Sequence, residues 1–514
     1  MRADIICFVG TPIPSQKKPR LDANPTGATN IRANPNASIN TCILPRFAKE
    51  QGRIKMARKD FRGVRDKFAN DAALPFGRIL TRDYVLGVLE SEGHSYRQGV
   101  FCPLVTLWGW LSQCLSQDKS LNEAVMRIVA NRVMTGLPAC SASSASYSNA
   151  RTRFPLSVMN RMAKEIGRNV HDSAADAWHW RGREVFLADG TGLSMPDTPE
   201  NQIAFPQIKT VIQGLGFPTM RAVTLISLST GAVVDFGCAP HEGKGTGEGT
   251  LLAGMFDTLK SGDILVADRF YPSYHTVGAL LRRGVDMVSI SHQARRVDFS
   301  EGIQLGKHDH IIEWRKPAYR DRMNKEEYDK LPDTVTVREF VIDIESREGG
   351  KEQAVVVSTM TDPSIPQEEL SALYWKRWNC ELDLRSIKQS MHMDVLRCKT
   401  PEMVIKEINA HLLAYNLLRG VMTESAKRAE VTPRQLSVKG AMQAVESFTP
   451  AMMATGAGEV LYHAFLTTVS AHRVGNRPGR QEPRLKKRRP VWRDLMMKPR
   501  NSYHRRLTSQ AALR

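Results

Sequence analysis

The stretch Tyr374–Ser390, YWKRWNCELDLRSIKQS, carries the most informative pattern in the chain. At about 100° per residue, a helix here places a phenol, an acid and three bases on one narrow stripe. These side chains are Tyr374, Glu381, Arg377, Arg385 and Lys388. Apolar residues flank the stripe on both sides, which favours a polar stripe pressed into a cleft where its cations can hold phosphates. An ordinary ladder of i,i+4 ion pairs is the alternative.

Two aspartates follow short apolar runs earlier in the chain. EVFLA (184–188) leads into Asp189, and DILVA (263–267) leads into Asp268. Functional residues collect at the carboxyl ends of strands, although each aspartate alone is also typical of a turn or a helix cap. Together with Glu381 they offer the oxygen ligands that hard divalent cations prefer. Two such ions can clamp the attacking and leaving oxygens of an in-line phosphoryl transfer.

The order of elements around these acids is mixed α/β. Residues 75–175 have helical periodicity, and the uncharged segment Gly99–Ser116 is expected to be a buried core helix rather than a membrane span. From 184 onward strands alternate with helices, and residues 291–360 read as additional antiparallel strands. The run GKGTGEG (243–249) lacks the order of a phosphate-binding loop and is interpreted as the lead into a helix.

These blocks together resemble the bacterial insertion-sequence DDE transposases of the IS-four group. The group's signature around its third acid is Tyr, two residues, Arg, three residues, Glu, six residues, Lys. Tyr374, Arg377, Glu381 and Lys388 match it in type and spacing. LADGT around Asp189 and ADRFY around Asp268 are similar to the group's blocks around its first two acids. The resemblance spans roughly residues 146–420.

The resemblance implies an α/β fold with an RNase H-like catalytic core and a β-rich insertion, and the helical periodicity before the core predicts an all-helical N-terminal domain. The resemblance also implies that Asp189, Asp268 and Glu381 are catalytic and bind two Mg²⁺ ions, with Mn²⁺ as a substitute. DNA contacts are expected from a further set of side chains: Tyr374, Arg377, Lys388, Arg269, Arg385 and Trp314. For Arg269, which directly follows an acid, a structural role is the alternative. In the best-known relatives an inserted tryptophan stacks on a flipped-out base, and Trp314 is the one tryptophan of the insertion; plain packing is its alternative role.

The charge distribution agrees with a nucleic-acid partner. The net charge of the 514 residues is +19. Residues 1–70 carry +9, from 14 basic and 5 acidic side chains, and residues 472–514 carry +12, from 14 and 2. The remaining body is close to neutral at −2, so the cationic ends favour non-specific binding to the DNA backbone. The basic segment Ser146–Arg168 is interpreted as either a solvated helix face or a DNA-contacting helix.

The expected organisation has seven parts. They are a disordered extension (1–55), a helical DNA-binding region (56–175), the first part of the core (180–290), the β-rich insertion (291–360), the last part of the core with the catalytic helix (361–425), a C-terminal helical region (426–471) and a basic tail (472–514). The expected partners are double-stranded transposon ends and target DNA, bound by a homodimer in a synaptic complex. The protein is therefore expected in the bacterial cytoplasm, associated with the nucleoid and without membrane contact.

Two other functions remain open on sequence alone. One is a non-catalytic, site-specific DNA-binding protein descended from such an enzyme, which has no need of three intact acids. The other is a metal-dependent nuclease that cuts DNA strands but never joins them.

Overall fold

The computed structural model describes residues 75–96, 99–292, 294–319, 323–345, 351–455, 458–475 and 497–498. The predicted disordered extension and almost all of the basic tail lie outside the described residues. No helix in these ranges is long and apolar enough to cross a membrane.

Helices precede the first strand, as the periodicity predicts. They are α1 (Arg82–Ser91), α2 (Pro103–Leu115), α3 (Leu121–Met134), α4 (Ala145–Arg153) and α5 (Leu156–Asp172). Helix α2 is the uncharged segment, and nine of its residues are buried, which confirms the predicted core helix. Thr81 and Ser120 cap α1 and α3 by accepting backbone N–H bonds with their hydroxyl oxygens.

Nine strands form one sheet in the order β3-β2-β1-β4-β5-β9-β8-β7-β6. They are β1 (Val185–Ser194), β2 (Thr219–Ser227), β3 (Val233–Pro240), β4 (Ile264–Ala267), β5 (Asp286–Ile290), β6 (Ile303–Gly306), β7 (Asp309–Arg315), β8 (Thr334–Glu345) and β9 (Lys351–Ser358). Strands β1, β4 and β5 are parallel, and the other pairings are antiparallel. The insertion is β-rich as predicted, and it extends the central sheet because β9 pairs with β5.

Short helices connect several strands, and longer helices follow the sheet. The first set is α6 (Pro199–Ala204), α7 (Glu248–Ala253), α8 (Tyr274–Leu281) and α9 (Lys325–Asp329). The second set is α10 (Gln367–Trp375), α11 (Trp378–Arg385), α12 (Pro401–Arg428), α13 (Val438–Thr455) and α14 (Glu459–Ala471).

Two local predictions need correction. Strand β1 does not end at Asp189, because its pairing with β2 continues as far as Ser194 opposite Thr219. The stretch 374–390 is not one uninterrupted helix: Lys376 and Arg377 form a turn between α10 and α11, and residues 386–390 form a π-helical turn. A π-turn widens the backbone spacing, so the angular positions expected for Lys388 on an ideal helix do not apply.

The sheet is covered on both faces. Helices α5 and α12 pack on one face with α10 and α11, and α7 and α8 pack on the other. Gly167 in α5 permits this close packing, because a Cβ there would lie 2.0 Å from the carbonyl oxygen of Val233. Asn416 of α12 completes the junction: its amide donates to the carbonyls of Ala163 and Val233, and its side-chain oxygen accepts the N–H of Val233.

We expect Asn416→Ala to lower the free energy of unfolding by about 2–4 kcal/mol, because it removes three buried hydrogen bonds that join α12 to α5 and β3. Urea unfolding measures the change. Asn122→Ala, at an exposed position of α3, is the control and should change it by less than about 0.5 kcal/mol. Equal values for the two variants would contradict the proposed role of Asn416 in this junction.

Candidate active site

Strand alternation places two of the predicted acids on one face of the sheet. Odd-numbered residues of β1 point to the face covered by α5 and α12, and Asp189 is one of them. Even-numbered residues of β4 point to the same face, and Asp268 follows directly after this strand. Because β1 and β4 are neighbouring parallel strands, with Ala188 opposite Ala267, the two aspartates lie close together.

Helix α11 brings the third acid to this face. The carboxylate of Asp383 is buried, accepts a hydrogen bond from the Tyr415 hydroxyl at 3.0 Å and pairs with Arg434. Cys380 is fully buried on the same helix. These contacts fix the rotation of α11, so that Glu381 faces β1 with about a quarter of its side chain exposed.

The guanidinium of Arg377 bridges two of the acids. Its Nη2 donates to Oε1 of Glu381 at 2.9 Å, and its Nη1 lies 3.6 Å from Oδ2 of Asp189. Only 7% of Arg377 is exposed, so this ion pairing occurs with little screening by water. Asp189, Asp268 and Glu381, hereafter the carboxylate trio, therefore surround one buried cation.

Burial and like charge both disfavour ionisation of Asp189. Burial is the main reason that its pKa is raised to about 7, and the negative charges of Asp268 and Glu381 contribute to the rise, against the opposing effects of Arg377 and the Gly190 N–H. Burial alone would lower the pKa of Arg377, yet the acids around it raise that pKa above its ordinary value. The site thus holds more negative charge than one arginine neutralises.

Comparison with known proteins gives the family. A family model described as a transposase DDE domain matches residues 180–417, which include the carboxylate trio. Transposase InsG for insertion sequence element IS4, from Escherichia coli (strain K12), is 26% identical over 351 residues, which are 65% of this chain and 76% of that protein. Residues 180–417 thus match the DDE domain of transposases, and the chain is similar to an IS4-type transposase. The resemblance stated from the sequence motifs is confirmed.

A solved structure is also similar to this transposase in part. It is a cryo-EM structure of a piggyBac transposase synaptic complex with hairpin DNA. The match covers 78% of this chain and 85% of that chain, with 10% identity and a TM-score of 0.41.

Two further residues of the transposase motif lie beside the carboxylate trio. Nζ of Lys388 donates to Oγ1 of Thr191 at 2.9 Å and to the carbonyl of Gly192 at 3.0 Å, which ties the π-turn to β1 just beyond Asp189. Tyr374 is 2% exposed, and burial raises its pKa to about 12, so its phenol is neutral at ordinary pH.

The predicted DNA-contacting arginines differ in exposure. The backbone N–H of Arg269 donates to Oδ1 of Asp268 at 2.7 Å, and the Arg269 side chain is half-exposed next to the carboxylate trio. Arg385 is exposed at the end of α11. Both side chains can therefore reach a ligand in solution.

Trp314 is packed within the insertion. It is 5% exposed, its indole N–H donates to Oε1 of Glu339 at 3.0 Å, and the guanidinium of Arg295 stacks 3.5 Å from its ring centroid. Stacking on a base would require the indole to leave both contacts.

The carboxylate oxygens of the trio lie around Arg377 and are not close enough to one another to form a compact metal site. Within the described part of the chain, only His171, Asp172 and Glu184 place three potential ligand atoms within 4.8 Å of one another. Both ring nitrogens of His171 are already hydrogen-bonded at 2.8 Å, to Ser227 and to Glu184. That group is explained by packing, whereas the oxygen-only donor set of the carboxylate trio fits a hard cation.

Sequence reasoning missed a fourth carboxylate near β1. Glu248 opens α7 within GKGTGEG and reaches Gly190 from the opposite face, where a Cβ on Gly190 would lie 2.5 Å from its Cδ. Its carboxylate lies 3.3 Å from the Tyr271 hydroxyl and 3.4 Å from Nε of Arg221. No local motif marks Glu248, because its proximity to Asp189 depends on how α7 folds back under the sheet.

We expect the ionisation of Asp189 to lower the stability of the metal-free transposase as pH rises from about 4 to 7. The folded state holds the Asp189 proton with a pKa of about 7, above the ordinary value of 3.8, so ionisation there opposes folding. Asp189→Asn removes this penalty, and its advantage in unfolding free energy over the wild type should grow by about 2–4 kcal/mol between pH 4 and 8. Urea unfolding in EDTA measures it.

The control for this experiment is Asp197→Asn, at an exposed position beyond the end of β1. It should show no comparable gain. Parallel pH curves for the wild type and Asp189→Asn would contradict the electrostatic account of the carboxylate trio.

Proposed function

We propose that the carboxylate trio is the single site at which this transposase cleaves DNA at the ends of its element and transfers the freed ends to target DNA. The observation that carries the proposal is the convergence of three acids from β1, the end of β4 and α11 on the buried guanidinium of Arg377. A solvated ladder of ion pairs would not bury its arginine or raise the pKa of Asp189.

The donor set fits divalent cations. The trio supplies only carboxylate oxygens. Burial, and to a smaller extent the negative charges of Asp268 and Glu381, raise the pKa of Asp189, and a bound cation would favour its ionised form. We infer that Asp189, Asp268 and Glu381 hold two Mg²⁺ ions, with Mn²⁺ as a substitute. When bound, the ions would favour deprotonation of the attacking water or 3′-hydroxyl and offset charge on the leaving oxygen.

The surrounding cations are suited to orient the DNA. Without bound metal, the guanidinium of Arg377 pairs with Glu381 and Asp189. If cations neutralised these two carboxylates, the guanidinium would be free to pair with a phosphate. Arg269 and Arg385 are accessible beside it. Lys388 holds the π-turn against β1 and so fixes the distance between the third acid's segment and Asp189.

The buried phenol of Tyr374 supports a positioning role rather than nucleophilic catalysis. Its raised pKa keeps the phenol protonated, and hydrolysis followed by transesterification needs no covalent link between protein and DNA. The base-stacking role of Trp314 belongs to this proposal only if the insertion releases the indole from Glu339 and Arg295.

The strand order supports an RNase H-like core within the larger sheet. Strands β3-β2-β1-β4-β5 form one half, with the first acid on β1 and the second after β4. The helices that precede β1 are the proposed DNA-binding region. Several cations of this region form ion pairs within the protein: Lys164 pairs with Asp235, and Arg161 pairs with Glu165. DNA affinity is thus assigned mainly to other cations, including those of the basic ends, 1–70 and 472–514.

In cells we propose that a homodimer brings two element ends together on target DNA, in the bacterial cytoplasm at the nucleoid. The non-catalytic DNA-binding alternative is disfavoured, because such a protein gains nothing from burying Arg377 between Asp189 and Glu381. The nuclease alternative shares the carboxylate trio, so only a joining assay separates it.

The test uses purified protein, a labelled duplex that carries the element's own end, supercoiled target DNA and Mg²⁺. We expect Glu381→Gln to reduce both cleavage and strand transfer by about 10³-fold or more, while binding of the end is retained. Glu368→Gln, at an exposed position of α10, is the matched control and should keep both activities.

Each outcome discriminates between functions. Cutting without joining by the wild type would favour a nuclease. Binding without cutting in either Mg²⁺ or Mn²⁺ would favour the non-catalytic DNA-binding protein. Full activity of Glu381→Gln would reject the assignment of the carboxylate trio.

A further inference from the structure

A cationic cavity lies apart from the carboxylate trio. It has a volume of about 610 Å³ and lies between α2, α4, the segment 392–400 and the start of α12. Four cations are among its described lining residues: Lys119, Arg151, Arg397 and Lys399. The one carboxylate among them, Glu407, is engaged by the backbone N–H groups of Arg397 and Cys398.

Arg151 is a buried cation without an acidic partner. It is 6% exposed, its guanidinium stacks 4.0 Å from the ring centroid of Trp110, and its Nε has no hydrogen-bond partner among the described residues. Its other nitrogens have only distant acceptors, Oε1 of Gln113 and Sγ of Cys398, each at 3.5 Å. Within the described ranges, no carboxylate lies at ion-pair distance from Arg151. A buried guanidinium is costly unless an anion compensates it.

A second buried cation faces the same cavity. Lys119 is 5% exposed, and its ammonium donates to the carbonyl of Cys114 at 2.6 Å. Burial lowers its pKa to about 8. Nearby, His411 is 5% exposed and its Nδ1 has no partner in the described part of the chain. The pKa of His411 is lowered to about 3, mainly by burial and also by the charges of Lys119, Arg151 and Arg397.

The entrance is lined by accessible cations. Arg397 and Lys399 are exposed, while Arg151 and Lys119 are buried. Positive charge therefore extends from the surface to the interior, with the unpartnered Nε of Arg151 and Nδ1 of His411 at its buried part. This is the donor arrangement that a phosphate group matches, because guanidinium and ammonium groups both form charge-assisted bonds to its oxygens.

We propose that this cavity binds a phosphate group through Arg151 and Lys119, and that the backbone of bound DNA supplies it. The DNA source rests on the proposed function. It is supported by the position of the segment 392–400, which follows the π-turn of Lys388 directly. The same segment pairs with the end of β1, where the Leu396 N–H donates to the carbonyl of Ser194 at 2.9 Å. The cavity is thus connected through backbone pairing to the strand that carries Asp189.

The first experiment measures thermal unfolding of the full chain in EDTA with inorganic phosphate or pyrophosphate, against chloride at equal ionic strength. At concentrations well above the dissociation constant we expect the wild-type Tm to rise by about 2–4 °C. Arg151→Gln should abolish the rise, and Arg282→Gln, at an exposed position on the opposite face of the sheet, should retain it. Lys119→Gln is a second cavity variant in case Arg151→Gln fails to fold.

The second experiment identifies the source of the phosphate. Element-end duplexes in which single phosphates are replaced by neutral methylphosphonates are bound to the protein in EDTA. We expect the wild type to lose about 10-fold in affinity at one or two positions, and Arg151→Gln to be insensitive at those positions. Arg282→Gln should show the wild-type profile.

Two results decide the proposal. Stabilisation by free phosphate without a methylphosphonate effect would retain the anion site and overturn its DNA source. Absence of phosphate stabilisation, together with wild-type DNA binding by Arg151→Gln, would overturn the proposal entirely. Because both assays are metal-free and measure binding alone, loss of catalysis through the carboxylate trio cannot produce either result.

Discussion

The partial burial of three carboxylates that also repel one another is the constraint on which the site depends. Asp189, Asp268 and Glu381 are brought together in a place where water screens them poorly, and the pKa of Asp189 rises to about 7 as a result. Arg377 offsets part of the charge by bridging Asp189 and Glu381. The negative charge that Arg377 does not offset is what would draw divalent cations to the site.

The fold resists this repulsion through contacts on the far side of each acid. Strand β1 continues past Asp189 because β2 pairs with it to Ser194, so the first acid sits within a rigid ladder. Helix α11 is anchored by Asp383 to Tyr415 and Arg434. Lys388 then ties the end of the catalytic segment back to β1. The three acids are therefore held close together mainly by hydrogen bonds and packing contacts of neighbouring residues.

Much of this arrangement could be predicted from sequence, because strand alternation and motif spacing are local properties. The helical region, the strands that lead to Asp189 and Asp268, and the spacing of Tyr374, Arg377, Glu381 and Lys388 all have local signals. The turn at Lys376 and the π-turn could not be predicted, since they depend on how α10 and α11 pack on the sheet.

Long-range pairings were likewise hidden from sequence reasoning. Glu248 meets Gly190 only through the return of α7 under the sheet, and Arg151 meets the segment 392–400 only through the packing of α4 against the core. The sequence of a basic helix does not show which of its cations are buried and which are exposed, because that depends on the surface against which the helix packs. Arg151 illustrates this, because its cationic pattern suggests an exposed face while the structure buries it.

The central claim is that Asp189, Asp268 and Glu381 act together as one divalent-metal site. Its most direct test is a Mn²⁺ titration of the DNA-free protein followed by electron paramagnetic resonance, comparing the wild type with Asp189→Asn, Asp268→Asn, Glu381→Gln and the control Asp197→Asn. The account predicts bound Mn²⁺ in the wild type and the control, and weaker binding in each of the three single variants. Mn²⁺ binding of wild-type strength in any of those three would contradict it.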